Sequence, residues 1–167
     1  TAYYSAIGIK ANGNGLGDTT VDSSGSISAT SYDSYADGIY AFSLSQDVYV
    51  SNSGVIDADG QYGAAGIFAY THYSNATGTV NVDNSGTIIL GSTGADTSLE
   101  VVQTGITLSG GGHVVLSDNA GNAIFGSELS VTLENIDNTI EGAGQLGAGS
   151  LSLINHGTVV ASGTAAL

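Results

Sequence analysis

A seven-residue phrase returns along the chain at intervals near 30 residues, and this recurrence limits the fold more than any other feature. Ser23-Ser24-Gly25-Ser26-Ile27-Ser28-Ala29 is matched by Asn52-Ser53-Gly54-Val55-Ile56-Asp57-Ala58 and then by Asn84-Ser85-Gly86-Thr87-Ile88-Ile89-Leu90. A last copy is Asn155-His156-Gly157-Thr158-Val159-Val160-Ala161. A second phrase, Gly-Ile-x-Ala, stands between copies of the first at Gly8, Gly38 and Gly66 with the same period. A third is a short alternating run, Asp47-Val48-Tyr49-Val50 or Val80-Asn81-Val82-Asp83, that leads into the next Asn-Ser-Gly. Each unit thus offers three short strands separated by Gly, Ser, Asn and Asp clusters that read as turns.

One such unit cannot bury its apolar face alone, whereas stacked copies place like residues over like and enclose a shared core. The sequence therefore predicts an all-β parallel β-helix (β-solenoid) with coils of about 19–32 residues, running as one continuous unit over 1–167. Residues 1–90 carry larger, decorated coils. Residues 91–167 show shorter turns, with Thr139-Ile140 and Thr158-Val159 only 19 residues apart. Small inward residues are expected at Ala29, Ile39, Ala41, Ile56, Ala58, Ile67, Ala69 and Ile88. The absence of proline agrees, since proline cannot donate to a sheet ladder.

The repeated Gly25, Gly54, Gly86 and Gly157, and Asn52, Asn84 and Asn155 before three of them, are expected to be structural turn positions. Asparagine tolerates left-handed backbone and bonds neighbouring peptide groups, and stacked copies can form an amide ladder. Turn chemistry alone is the favoured reading, and no binding role is assigned to them.

Formal net charge is −14, with Lys10 the only basic side chain. Nucleic acid and anionic membranes are bound mainly through Lys and Arg, so neither is expected as a partner. No apolar run is long enough for a membrane-spanning helix. There is no basic, apolar leader at Thr1, so any export signal is expected outside this sequence.

The residues argue against catalysis. A uronate lyase needs a cationic side chain at the substrate carboxylate, and only Lys10 is offered. Asp33, Asp37, Asp57 and Asp59 could supply a carboxylate pair for an inverting glycosidase, but they sit in Gly- and Ser-rich stretches where aspartate is a turn former. His72, His113 and His156 share no repeat relationship and no evident acidic partner. No cofactor is required. Calcium is a candidate, because Asn12, Asn14 and Asp18 alternate with glycines in Asn12-Gly13-Asn14-Gly15-Leu16-Gly17-Asp18, and Asp57-Ala58-Asp59-Gly60 is a shorter echo. Neither matches a full calcium motif.

Aromatic residues give the most suggestive pattern. With Ile39 and Ala41 inward, alternation sends Tyr40 and Phe42 outward, and the repeat places Phe68 and Tyr70 over them. Such a four-ring patch either stabilises the sheet or binds a sugar or protein surface. The two readings stand level on sequence.

The phrases Asn-Ser-Gly-Thr-Ile-x-Ala and Gly-Ile-x-Ala resemble the repeats of autotransporter passenger domains and large repetitive bacterial surface adhesins. Leu133-Glu134-Asn135-Ile136-Asp137-Asn138-Thr139-Ile140-Glu141-Gly142-Ala143-Gly144-Gln145-Leu146-Gly147 is similar to a segment common in them. The resemblance implies a right-handed β-helix that is extracellular or at the bacterial cell surface. It further implies adhesion, self-association, or display of other domains to a host or matrix glycan or protein. It carries no functional residue over, and it is specific for fold rather than activity.

Overall fold

The computed structural model of the chain describes residues 5–15, 17–72, 77–91, 98–101, 105–129 and 131–165. Among these, every regular element is a strand, and all strand pairs are parallel. Three strands make one rung. The first holds β1 (Ala6–Gly13), β2 (Thr19–Ser23) and β3 (Ser26–Ser31); the second β4 (Ala36–Ser43), β5 (Val48–Asn52) and β6 (Val55–Gly60). The third has β7 (Ala64–Thr71), β8 (Val80–Asn84) and β9 (Thr87–Leu90); the fourth β10 (Ser98–Val101), β11 (Ile106–Ser109) and β12 (His113–Leu116). The fifth has β13 (Ala123–Gly126), β14 (Val131–Asn135) and β15 (Thr139–Gly142), and the sixth β16 (Gln145–Gly147), β17 (Leu151–Asn155) and β18 (Thr158–Ala161).

Stacking follows the repeat. Two faces are six-stranded sheets, β2-β5-β8-β11-β14-β17 and β3-β6-β9-β12-β15-β18. The chain is a β-solenoid. Its third face is broken into β1-β4-β7 and β10-β13-β16, with no strand pairing between β7 and β10. Residues stacked on neighbouring rungs lie 28 to 32 apart in the first half, as Ile39 to Ile67 and Asn52 to Asn84, and only 20 apart at Asn135 and Asn155.

The core is a set of vertical columns. Ile27, Ile56, Ile88, Val114, Ile140 and Val159 stack in register on one sheet, and Val48, Val80, Ile106, Leu133 and Leu153 on another. Ile39, Ile56, Val114, Ile124 and Ile140 are wholly excluded from solvent. Where the third face breaks, the core keeps a small apolar void of about 20 Å³ bounded by Ile67, Ile88, Leu99 and Ile106.

The glycines of the two phrases owe their places to close approach. A methyl group added at Gly38 would strike the Ile56 side chain and the Gly66 carbonyl, and one at Gly66 would strike Ile88. Thus the Gly of Gly-Ile-x-Ala makes room for the Ile of Asn-Ser-Gly-Thr-Ile, which explains why the two phrases travel together. At the corner, a methyl on Gly54 would run into the Gly25 carbonyl, on Gly86 into that of Gly54, and on Gly157 into that of Asn138. None of these corner glycines has left-handed backbone. Gly25, on the first rung, has open space where its side chain would be.

The asparagines correct the expectation of turn chemistry alone. Asn52, Asn84 and Asn155 end strands β5, β8 and β17, and Ala148 is the one non-glycine residue with positive φ among the described residues. Asn52 does bond its own corner, its Oδ1 accepting from Gly54 N–H at 3.2 Å. It also joins a buried ladder: Asn52 Nδ2 donates to Asn84 Oδ1 at 2.8 Å, and Asn84 Nδ2 to Asn138 Oδ1 at 3.0 Å. Asn135 Nδ2 donates to Asn155 Oδ1 at 2.8 Å. Buried amides must find partners, and stacking lets each satisfy the next.

Candidate functional site

The outward residues of β4 and β7 form the expected ring platform. Register pairs Tyr40 with Phe68 and Phe42 with Tyr70. Their centroids are both 5.5 Å apart, with planes inclined by only 16° and 21°. Tyr40 and Tyr70 meet edge to face at 5.9 Å and share a hydroxyl–hydroxyl hydrogen bond of 2.8 Å. Partial burial, then the Tyr40 hydroxyl and its charge, push the Tyr70 phenol up to about 12. His72 continues the cluster, 6.3 Å from the Tyr70 ring. Lys10, one rung down, places Nζ 5.2 Å from the centre of the Tyr40 ring, so the lone basic side chain is spent on this platform. All four rings are half-buried rather than free.

Beside the platform lies a groove of about 460 Å³, within the range of small-ligand sites. Tyr40 and Phe68 form part of its wall, joined by Tyr35, Tyr62 and Phe125 and by the carboxylates of Asp37 and Glu100. It lies at the break in the third face. There Gly63 and the first residues of β7, Ala64 and Ala65, are small, and β10 and β13 bring Glu100 and Phe125 into outward register with one another. Burial raises the Asp37 carboxyl above its ordinary 3.8, and no hydrogen bond to it is formed among the described residues.

Sequence reasoning found Tyr40 and Phe68 but not this groove. Tyr35 and Tyr62 lie in the connections before β4 and β7, and Glu100 and Phe125 lie on rungs where Gly-Ile-x-Ala has disappeared. The signal that remained was their alternation with the inward Leu99 and Ile124.

Other candidates are dispersed. Asn12 lies on β1 in register with Phe42, and Asp18 Oδ1 accepts the Asp47 N–H at 3.2 Å, while Leu16 is outside the described residues. Asp57 and Asp59 lie on β6, a different sheet, so the two calcium candidates are not brought together. Among the described residues, no three His, Asp or Glu side chains are grouped to hold a metal. Placing the four aspartates in turns fails for three of them: Asp37 is in β4, and Asp57 and Asp59 are in β6, where side chains alternate outward. His113 also differs from expectation. It lies on β12 and meets Glu141 on the next rung, Nδ1 to Oε1 at 3.1 Å, an exposed pair of small energetic consequence.

Two carboxylates to which the sequence assigned no role of their own organise connections. Asp118 accepts from the Thr164 and Ala165 backbone N–H groups and the Thr164 hydroxyl, and these bonds lower its pKa. Asp47 is lowered likewise, by Thr79 N–H and then the Tyr49 hydroxyl. No protein-family model, no curated protein and no solved structure matches the chain.

Proposed function

We propose that the chain is a non-catalytic structural and adhesive segment of an extracellular or bacterial cell-surface protein, a rod that provides reach and stacks end to end. The observation that carries this reading is the change along one core column. Ile140 on the fifth rung is fully buried, whereas Val159, stacked on it in the sixth, is 37% exposed. A parallel rung presents unpaired backbone groups as well as this apolar surface, and both are satisfied by one more coil. In end-to-end stacking a second copy supplies that coil. The repeat phrases, similar to those of passenger domains and repetitive adhesins, favour the surface location.

Lys10 is held against Tyr40, leaving no cation in the groove to neutralise a uronate, which favours a non-catalytic role over lyase chemistry. Negative-stain electron microscopy and sedimentation of the purified chain test the assembly. Concentration-dependent lengthening of rods is expected, abolished by Val159→Glu without loss of β structure. Short monodisperse rods at high concentration count against assembly, and polysaccharide cleavage by the purified chain counts against a non-catalytic role.

A further inference from the structure

The break in the third face leaves an aromatic floor and two carboxylates, Asp37 and Glu100, without hydrogen-bond partners among the described residues, and this combination asks for a ligand. Tyr40 covers one face of Phe68, and no ring stacks on the other among the described residues. In an unbroken solenoid the next strand would carry the ladder onward. Here the next rung supplies Glu100, and Phe125 lies one rung beyond in register with it. Tyr35 and Tyr62 stand 61% exposed at the edge, far more open than core packing requires.

We propose that this groove is a binding site for a saccharide free of acidic groups, its apolar ring face stacked on the uncovered aromatics and its hydroxyls donating to Asp37 and Glu100. Aromatic faces offer flat apolar area with a defined orientation, and ionised carboxylates accept hydrogen bonds without being able to donate. A sugar presents the matching set: carbon-bound hydrogens on one face and hydroxyl donors around the rim. Acidic sugars are excluded by charge. The protein carries a net −14, and its single cation is engaged on Tyr40, outside the groove lining.

Asp37 supports the assignment through its cost. It is half-buried without a compensating donor among the described residues, and its raised pKa reflects that burial; polar groups placed against stability in this way mark functional sites. The site is independent of the rod reading, because it faces sideways and end-on stacking leaves it open.

The test is direct titration of the whole chain, by calorimetry or ligand-observed NMR. The probes are glucan oligomers, N-acetylglucosamine oligomers, galacturonate oligomers and oligolysine. A neutral oligomer is expected to bind, with galacturonates at least 10-fold weaker. Tyr62→Ala, Phe125→Ser and Asp37→Asn should each weaken binding about 10-fold or more, while Tyr49→Ala on β5, away from the groove, leaves it unchanged. Asp37→Asn is the decisive variant, since removing a desolvated charge leaves the melting temperature equal or higher while binding falls. The proposal is overturned if no neutral oligomer binds, if galacturonates bind equally, if oligolysine alone binds, or if folded Asp37→Asn and Tyr62→Ala bind as the parent does. Rod assembly is scored in parallel and is expected to be unaffected by every groove variant.

Discussion

Replacing Asn84 by alanine should cost far more than its size suggests, because Asn84 is the middle member of the buried amide ladder. Its Nδ2 donates to Asn138 Oδ1 at 3.0 Å and to the His113 carbonyl at 3.1 Å, and its Oδ1 accepts from Asn52 Nδ2 at 2.8 Å. Asn52 Nδ2 retains the Gly54 carbonyl at 3.2 Å as a second partner. The Asn138 Oδ1 would be left buried without a donor. A fourth contact, Nδ2 to the Gly86 carbonyl at 3.3 Å, shares the two amide hydrogens with the shorter ones. The three shorter bonds lost at about 1 kcal/mol each, and about 1–2 kcal/mol for the orphaned acceptor, set against roughly 1 kcal/mol of regained side-chain entropy, leave about 3–4 kcal/mol. For a chain of this size that is a fall in melting temperature of roughly 6–16 °C.

Far-UV circular dichroism and tyrosine fluorescence report the transition, since the chain has no tryptophan. Asn155→Ala is the internal comparison: it is exposed on the last rung and forfeits mainly one ladder bond from Asn135, so it should cost about 1 kcal/mol. Asn84→Asp keeps the shape but loses the donors, and should be at least as damaging at neutral pH. If Asn84→Ala falls within about 0.5 kcal/mol of Asn155→Ala, the ladder is geometry without energetic weight and the reasoning fails.

The corner glycines should divide by rung: Gly86→Ala, driven into the Gly54 carbonyl, loses about 3 kcal/mol, whereas Gly25→Ala gains up to about 1 kcal/mol by restricting the unfolded chain. Equal melting temperatures for the two variants would refute close approach as the cause. Acid should loosen the connections held by Asp47 and Asp118. Both carboxyls are depressed below 3.8 on folding, so their contribution is present above that pH and disappears as pH falls through the folded values; Asp118→Asn should flatten this limb of a pH–stability curve. At the alkaline end the sign reverses. Tyr70 rises from 10.0 to about 12, so its contribution holds below pH 10 and is lost between 10 and 12, and Tyr70→Phe should remove that dependence, read by absorbance of the tyrosinate.

Much of this was legible in the sequence. Period, strand number per coil and inward residues follow from the spacing of Gly25, Gly54 and Gly86 and from two-residue alternation, because identical units stacked in parallel must place like over like. The Tyr40–Phe68 and Phe42–Tyr70 stacks follow from the same rule. Tertiary structure decided the rest. It showed that Gly54 and Gly86 answer to a neighbouring carbonyl rather than to their own φ, and that Asn138, outside the repeat position, completes the ladder of Asn52 and Asn84. It also opened the groove, where a repeat fails and residues from several rungs converge. Periodicity specifies what recurs, so a site made by an interruption, with Asp37, Glu100 and Phe125 drawn from three different rungs, emerges only once the coils are stacked.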